Sequence, residues 1–373
     1  MRGRSTTLKI ICNKNDFSKA INIVLKAIPT NTTMPILNCI LIDASFGEIT
    51  LTANNMELGI KTVMSGEIVT PGKIAIEAKF LADLVRKLPE NEITLETDDN
   101  FSTKITSENS VIDVPSKEGA DFSYLPDVEK DNCVAISHFT LKEIIRQTAF
   151  SIGINESNKI LTGELFEISD NNKFKVVSLD RFRASIRKIT LADDYAPMKS
   201  IIPGKTLNEI SKIISDDTDN DVKMYFTRNH VLMEFDETTV VSRLIEGEFM
   251  DVNQMISKMY NTKVNINRKE LLEAMDRSTL FVKESDIRPV ILTIKDGTIN
   301  INIESTTGKM NENLSVEMEG QDIKIGFNPK LMIDTLRVID DETVSLYFIN
   351  AIAPCTIKND NEDYIYLVTP INF

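Results

Sequence analysis

Apolar residues recur along this chain at helical spacing and then at strand spacing, and the alternation repeats. In the stretch NDFSKAINIVLKAI, the apolar positions are Phe17, Ala20, Ile21, Val24, Leu25 and Ile28, one face of a helix. In FTLKEIIRQTAFSI, the same offsets give Leu141, Ile144, Ile145, Thr148, Ala149 and Ile152. In RKELLEAMDRSTLFV they give Leu271, Ala274, Met275, Ser278, Thr279 and Val282, the weakest of the three matches. A polar linker follows each helix, and then a strand-like run: MPILNCILIDA, KILTGELFEIS and RPVILTIKDG, with Ile36, Ile160 and Val290 at matching places. A second strand follows each run (GEITLTA, KFKVVSL, GTININI).

A second helix also recurs. KFLADLVRKL, KTLNEISKII and KLMIDTLRVI align on Leu81, Leu207 and Met332, each followed by an acidic turn and a strand. One unit reads helix, strands, helix, strands over about 125 residues, and the chain holds three of them. The pattern predicts an α+β fold of three repeated domains, 1–131, 132–259 and 260–373.

Composition narrows the function. The 373 residues are 42% hydrophobic and 26% charged, an ordinary globular balance. No apolar run is long enough to span a membrane, and the N-terminus lacks a secretory apolar core. Cys12, Cys39, Cys133 and Cys355 are scattered without ligand spacing, so buried thiols in a reducing compartment are expected. With only His138 and His230, most zinc sites and Ser-His-Asp arrangements are hard to build. No glycine-rich phosphate cradle is present.

The net charge of −14 argues against a nucleic-acid surface until its distribution is examined. Each second helix carries one basic residue before its apolar stripe and one after: Lys79 and Arg86, Lys205 and Lys212, Lys330 and Arg337. The first helices add Lys142 and Arg146, among others. These charges point away from the apolar stripe. Two readings stay open: a solvated helix face supported by acids three residues earlier (Asp83, Glu209, Asp334), or a surface facing a polyanion. Acidic doublets at Asp98-Asp99, Asp193-Asp194, Asp216-Asp217 and Asp340-Asp341 sit in turns, where Asp is favoured. A metal-dependent or carboxylate-dependent hydrolase would have to rest on them alone.

The triple unit, together with MPIL, GELFE, LIEGEF and YLVTP in that order, resembles the bacterial DNA polymerase III beta subunit family, the sliding clamps. The resemblance runs from about Leu8 to Phe373, which leaves the first residues as an extension. It implies a non-enzymatic, cytoplasmic, nucleoid-associated protein without cofactor or metal. It implies a head-to-tail homodimer closed into a ring around double-stranded DNA, read without regard to sequence. DNA polymerase, clamp loader and repair factors would bind through short linear peptides. In this reading Lys79, Arg86, Lys205, Lys212, Lys330, Arg337, Lys142 and Arg146 face DNA. A family arginine near the MPIL strand is replaced by Asn31. A protein-interaction scaffold that kept the fold without DNA is the alternative.

Carried over residue by residue, the peptide pocket between the second and third domains takes Leu161, Leu179, Arg181, Phe182, Arg183 and Ala184. To these it adds Met250, Gln254, Met255, Ile352, Pro354 and the chain end Val368, Thr369, Pro370, Ile371 and Phe373. The family usually has Gly-His-Arg-Leu at 181–184, proline at Met250 and often a basic residue at Gln254, so a reshaped pocket is expected. The ring seam would join Ile112 and Val114 on an edge strand to Leu280 and Phe281. In YIYLVTPINF, Tyr364 to Val368 reads as the last strand of the third repeat. Thr369 to Phe373 has no counterpart in the first two repeats and reads as a wall of the pocket.

Overall fold

The structure is a computed structural model that describes residues 7–89, 92–122, 125–154, 156–216, 219–257, 259–282 and 288–373. Most of the expected extension, and Asp217, lie outside the described residues.

Six helices stand where the 3.6-residue periodicity places them: α1 (Lys14–Val24), α2 (Ala78–Lys87), α3 (His138–Thr148), α4 (Gly204–Ile210), α5 (Arg268–Ser278) and α6 (Pro329–Val338). Their starts follow from side chains that satisfy the first free backbone N–H groups. Asn13, Asn267 and Asn328 accept from Asn15, Glu270 and Lys330, and the Glu77 carboxylate accepts from Lys79 and Phe80. The middle repeat departs from expectation. Its second helix stops at Ile210, and Lys212 lies in the following turn. Ser211 and the β-branched Ile213 and Ile214 are weak helix formers, and the last turn tightens, with Ile213 N–H on Ile210 O at 3.0 Å.

Two features of the repeat escape a reading by periodicity. A strand precedes each first helix (Lys9–Asn13, Cys133–Ser137, Thr262–Asn267) and pairs antiparallel with the strand after the second helix. Each is only five or six residues long and runs directly into its helix. Also, the first residues of the MPIL and KILT runs form single 3-10 turns, Pro35–Asn38 and Lys159–Thr162, ahead of the strands.

The chain forms two compact units that do not coincide with the repeats: Met1–Thr140 with Glu209–Leu244, and Leu141–Asn208 with Ile245–Phe373. The reason is in the sheets. In the first unit, strand Leu58–Met64 pairs with Thr238–Arg243, so one nine-stranded sheet joins strands of the first and second repeats. In the second unit, Arg183–Thr190 pairs with Tyr364–Val368, and another nine-stranded sheet joins strands of the second and third. A five-stranded sheet completes the first unit and a four-stranded sheet the second.

In the first unit α1 packs against α2 over Phe17, Ile21, Val24, Leu81 and Val85, all buried. In the second unit α5 and α6 cover one face of the nine-stranded sheet, where Leu271, Met275, Met332 and Leu336 meet Val344, Leu346, Tyr366 and Val368. Each large apolar side chain so buried contributes about 1.5–3 kcal/mol. All four cysteines are free, and burial pushes the Cys12 thiol up to about 12.

Candidate functional site

The opposite face of the second unit's large sheet carries a separate apolar cluster. Leu165, Val177, Leu179, Ala184, Ile186, Ile365 and Leu367 form it, and the last segment of the middle repeat packs on it through Phe249, Val252 and Ile256. Leu161 joins from its 3-10 turn. Asp251 holds the turn Val252–Met255 by accepting from Asn253 N–H at 3.0 Å. With Val252 buried, Met250, Gln254 and Met255 are left on the surface. Phe182 and Ile352 are exposed at 58% and 76%, unusual for large apolar side chains.

Strand alternation decides which expected pocket residues share this face. Leu179 pairs with Ala184 and Ala184 with Leu367, so these three form one row across three strands. Val368 points the other way, into the core under α5 and α6. The residue of the tail strand that belongs with Leu179 is therefore Leu367, and a slip of one position exchanges the faces. Arg183 is likewise on the helix side. Its guanidinium donates to Asp180 at 3.1 Å and to Asp334 of α6 at 2.7 Å, and it lies 5.2 Å from the Phe150 ring centroid. Leu179, Ala184 and Val368 are almost fully buried and present no surface of their own.

Arg181 and Phe182 form the tip of a two-residue hairpin. The Asp180 carboxylate accepts from Phe182 N–H at 2.7 Å and Arg183 N–H at 3.0 Å, which fixes the tip. Arg181 donates to Glu156 at 3.0 Å. The chain end is tied to the same tip: the Phe182 carbonyl accepts from both the N–H and the hydroxyl of Thr369, each at 2.8 Å. After half-buried Pro370, Ile371 N–H donates to Gly326 O at 2.8 Å. A side chain at Gly326 would meet Phe373 at 2.7 Å and the Ile371 carbonyl at 2.9 Å. Gly326 thus leaves room for the tail, and the Lys324 ammonium sits 5.4 Å from the Phe373 ring centroid. Pro354 precedes Cys355, whose strand partner is Val368.

The basic helix residues separate into two classes. Lys79, Lys205 and Lys330 are exposed, and among the described residues none of the three makes an ion pair. Lys79 and Arg86 line a cleft between α1 and α2 with Ser18 and Asn22. Arg86, Lys212 and Arg337 pair with Asp83, Glu209 and Asp276 at 2.7, 2.8 and 3.3 Å, with all three basic groups still largely exposed. Lys142 is half-buried. Arg146 is different. Its single Nε hydrogen is shared between the two Glu143 carboxylate oxygens at 3.0 Å each, and its other groups donate to Asp340 at 2.6 Å and to the Val338 carbonyl at 3.2 Å. Most of its donors are used within the protein, which leaves it less open to a polyanion than the three lysines.

The acidic doublets have ordinary partners. Asp98 accepts from Asn100 and Ser102 N–H in its own loop, and Asp194 from the Asn172 amide. Asp340 takes Arg146, and Asp341 accepts from the Tyr364 hydroxyl at 2.5 Å. Among the described residues no group of three His, Cys, Asp or Glu side chains could hold a metal ion.

At the expected seam, strand Ser110–Pro115 is the edge of the five-stranded sheet. Val114 is buried there and Ile112 half-buried, while Val111, not singled out from sequence, is 59% exposed. Leu280 is 77% exposed, and Phe281 is half-buried against the core of its own repeat.

Family models of the DNA polymerase III beta subunit match the chain in three successive parts: the N-terminal domain over residues 8–126, the central domain over 135–251 and the C-terminal domain over 253–372. The beta sliding clamp of Staphylococcus epidermidis is 32% identical over 377 aligned residues, covering 98% of this chain and 99% of that protein. A putative DNA polymerase III beta subunit from Eubacterium rectale is 54% identical in sequence and superposes with a TM-score of 0.95, over 98% of this chain and all of that one. The DNA polymerase sliding clamp of Bacillus subtilis gives the same TM-score at 29% identity, over 98% and 99% of the two chains.

Proposed function

The chain belongs to the bacterial DNA polymerase III beta subunit family and acts as a DNA sliding clamp, a non-catalytic processivity factor, and from that premise we propose how its own residues do the work. Its partners are DNA and the replicative polymerase. Two copies close head to tail into a ring of six repeats divided near residues 131 and 260, in the cytoplasm at the nucleoid. The closing surfaces are the edge strand with Val111 and Ile112 and the exposed Leu280 beside Phe281.

Lys79, Lys205 and Lys330 supply loose, sequence-blind phosphate contacts, helped by Arg86, Lys212 and Arg337. Lys142, half-buried on α3, adds to them, and Arg146, held by Glu143 and Asp340, contributes least. Unpaired ammonium groups suit sliding, because a mobile point charge follows any phosphate without fixing its register.

Polymerase, clamp loader and repair factors dock by short apolar-anchored peptides on the face carrying Leu161, Met250, Gln254, Met255, Phe182, Ile352, Pro354 and the tail. The observation that carries this reading is the tethering of Thr369 to the Phe182 carbonyl and of Ile371 to Gly326, which fixes the apolar chain end beside the exposed Phe182. Met250 and Met255 are adaptable contacts for several partners. Phe182 gives the site an aromatic platform in place of a polar one, which favours peptides with an aromatic anchor. Beyond this, a scaffold without DNA has no support from the likenesses.

The test is a binding curve between the full chain and a peptide copying the polymerase C-terminus. Deleting Ile371–Phe373 is expected to abolish binding and leave the dimer intact by light scattering. Undiminished binding by the truncated chain would reduce the tail to packing.

A further inference from the structure

A polar row lies on the reverse side of the apolar row described above. Ser178 pairs with Ser185 and Ser185 with Tyr366, one residue along the same three strands from Leu179, Ala184 and Leu367. The row continues to Glu164, the next residue before the Leu165–Val177 pair, which is itself paired with Ile202 on its other side. The C-terminal turn of α3 sits on this row. Ser178 Oγ donates to the Thr148 carbonyl at 2.5 Å, and Ser151 and Ser185 share a hydrogen bond of 2.5 Å. Glu164 is completely buried.

Counting hydrogens favours a proton on Glu164. Its Oε2 lies 3.0 Å from Thr148 Oγ1, and Thr148 Oγ1 lies 2.7 Å from the Ile144 carbonyl. Thr148 has one hydroxyl hydrogen. The carbonyl can only accept, and it is the nearer partner. If that hydrogen goes to Ile144, an ionised Glu164 receives nothing, because its Oε1 has no partner among the described residues. A buried carboxylate with no donor would be held at prohibitive cost. If Glu164 carries a proton, it donates to Thr148 and Thr148 donates to Ile144, so every hydrogen in the chain has an acceptor.

The charged groups around this arrangement are engaged elsewhere: on the helix side of the strand that carries Ser185, Arg183 pairs with Asp180 and Asp334 and Arg187 donates to the Lys188 carbonyl. On α3, Lys142, Glu143 and Arg146 lie off the buried stripe that carries Ile144 and Thr148, with Arg146 and Glu143 bound to each other. On the flanking strands, Lys175 and Lys199 pair with Glu167 on the reverse face, Lys173 donates to Thr190, and Lys205 is exposed. Burial pushes the Glu164 carboxyl up to about 8; only a hydrogen bond given by Thr148 to the ionised form would oppose this, and no charged group contributes.

We infer that Glu164 is a neutral carboxylic acid at physiological pH and a positioning residue: its proton seats the end of α3 on the three strands whose reverse side floors the peptide-docking face. Ionising it removes the donor to Thr148 and places an unsolvated charge behind Leu179, Ala184 and Leu367. The strands then lose the support that keeps that floor in register with the tail. The coupling to docking rests on the peptide-face reading above; the proton itself does not.

The experiment uses the full chain, its Glu164→Gln variant and an N-acetylated polymerase C-terminal peptide without histidine or cysteine. Gln keeps an N–H donor for Thr148 and cannot ionise. Carboxyl-edited infrared spectroscopy should find a protonated acid at pH 7 in the parent that titrates away on raising the pH and is missing from the variant. Peptide affinity of the parent should fall about fivefold over the same rise, while the variant stays flat. Absence of the protonated band at pH 7 would overturn the proposal. A parent as flat as the variant, with the band titrating, would overturn the positioning role. Peptide binding by neither chain at any pH would overturn the docking-face reading and leave the protonated acid standing.

Discussion

Arg146 on α3 and Lys330 on α6 look alike in sequence: each is a basic residue turned away from an apolar helical stripe. In the folded chain they are opposites. Arg146 is held by Glu143, Asp340 and the Val338 carbonyl, whereas Lys330 has no ionic partner among the described residues. A guanidinium fork matches fixed acceptors and gains by staying with them, while a hydrated ammonium does not. The comparison teaches that a basic helix face marks a polyanion surface only where its charges are uncommitted.

The largest expected effect comes from breaking the uncommitted class. Lys79→Glu with Lys205→Glu and Lys330→Glu should weaken equilibrium binding to duplex DNA at low salt by at least about a hundredfold and flatten its salt dependence. Thermal unfolding and dimerisation should hardly change. An unaltered salt slope would remove these lysines from the DNA surface.

Arg146→Ala should do the reverse. Loss of its charged hydrogen bonds should cost about 2 kcal/mol in denaturant unfolding, with DNA binding unchanged once the chain is folded. A loss of DNA affinity without a loss of stability would move Arg146 back into the open class.

Beneath α3, the proton on Glu164 gives a pH test with a definite sign. Its folded value is raised from 4.5 to about 8, so the folded state keeps a proton that the unfolded chain releases. Stability should therefore fall as pH rises from about 4.5 to about 8, by up to about 1.4 kcal/mol per pH unit, and level off above that. Glu164→Gln should remove this slope, measured as the difference between the two chains in urea midpoints across the range.

The smallest effect is expected at Arg86. Its bond to Asp83 is 2.7 Å long, yet both groups are mostly exposed. Arg86→Ala should change stability by no more than about 0.5 kcal/mol. A larger loss would mean that bond length alone separates the two classes.

Much of the architecture was legible in the chain because helical periodicity is local. Leu81, Leu207 and Met332 announce three equivalent helices, and all three are buried in helices where the spacing places them. The units were not legible. Whether Leu58–Met64 pairs with its own repeat or with Thr238–Arg243 depends on contacts far apart in sequence, which no local pattern encodes. At the candidate site, the exposed Met250, Met255, Phe182 and Phe373 were reachable by resemblance. The choice of Leu367 over Val368 was not, because in a strand buried on both faces every residue is apolar and alternation leaves no trace. Glu164 shows the converse. A glutamate inside GELFE reads as solvent-facing, and only the hydroxyl of Thr148 and the surrounding burial explain its place. Gly326 carries no signal at all until Phe373 is seen against it.

The most direct test of the clamp account is topological. The chain is loaded onto nicked circular DNA by its own loader, separated from free protein, and the DNA is then cut once. A ring that encircles duplex DNA is expected to remain on the circle and to leave the linear product through its ends. Equal retention on circle and linear product would contradict encirclement.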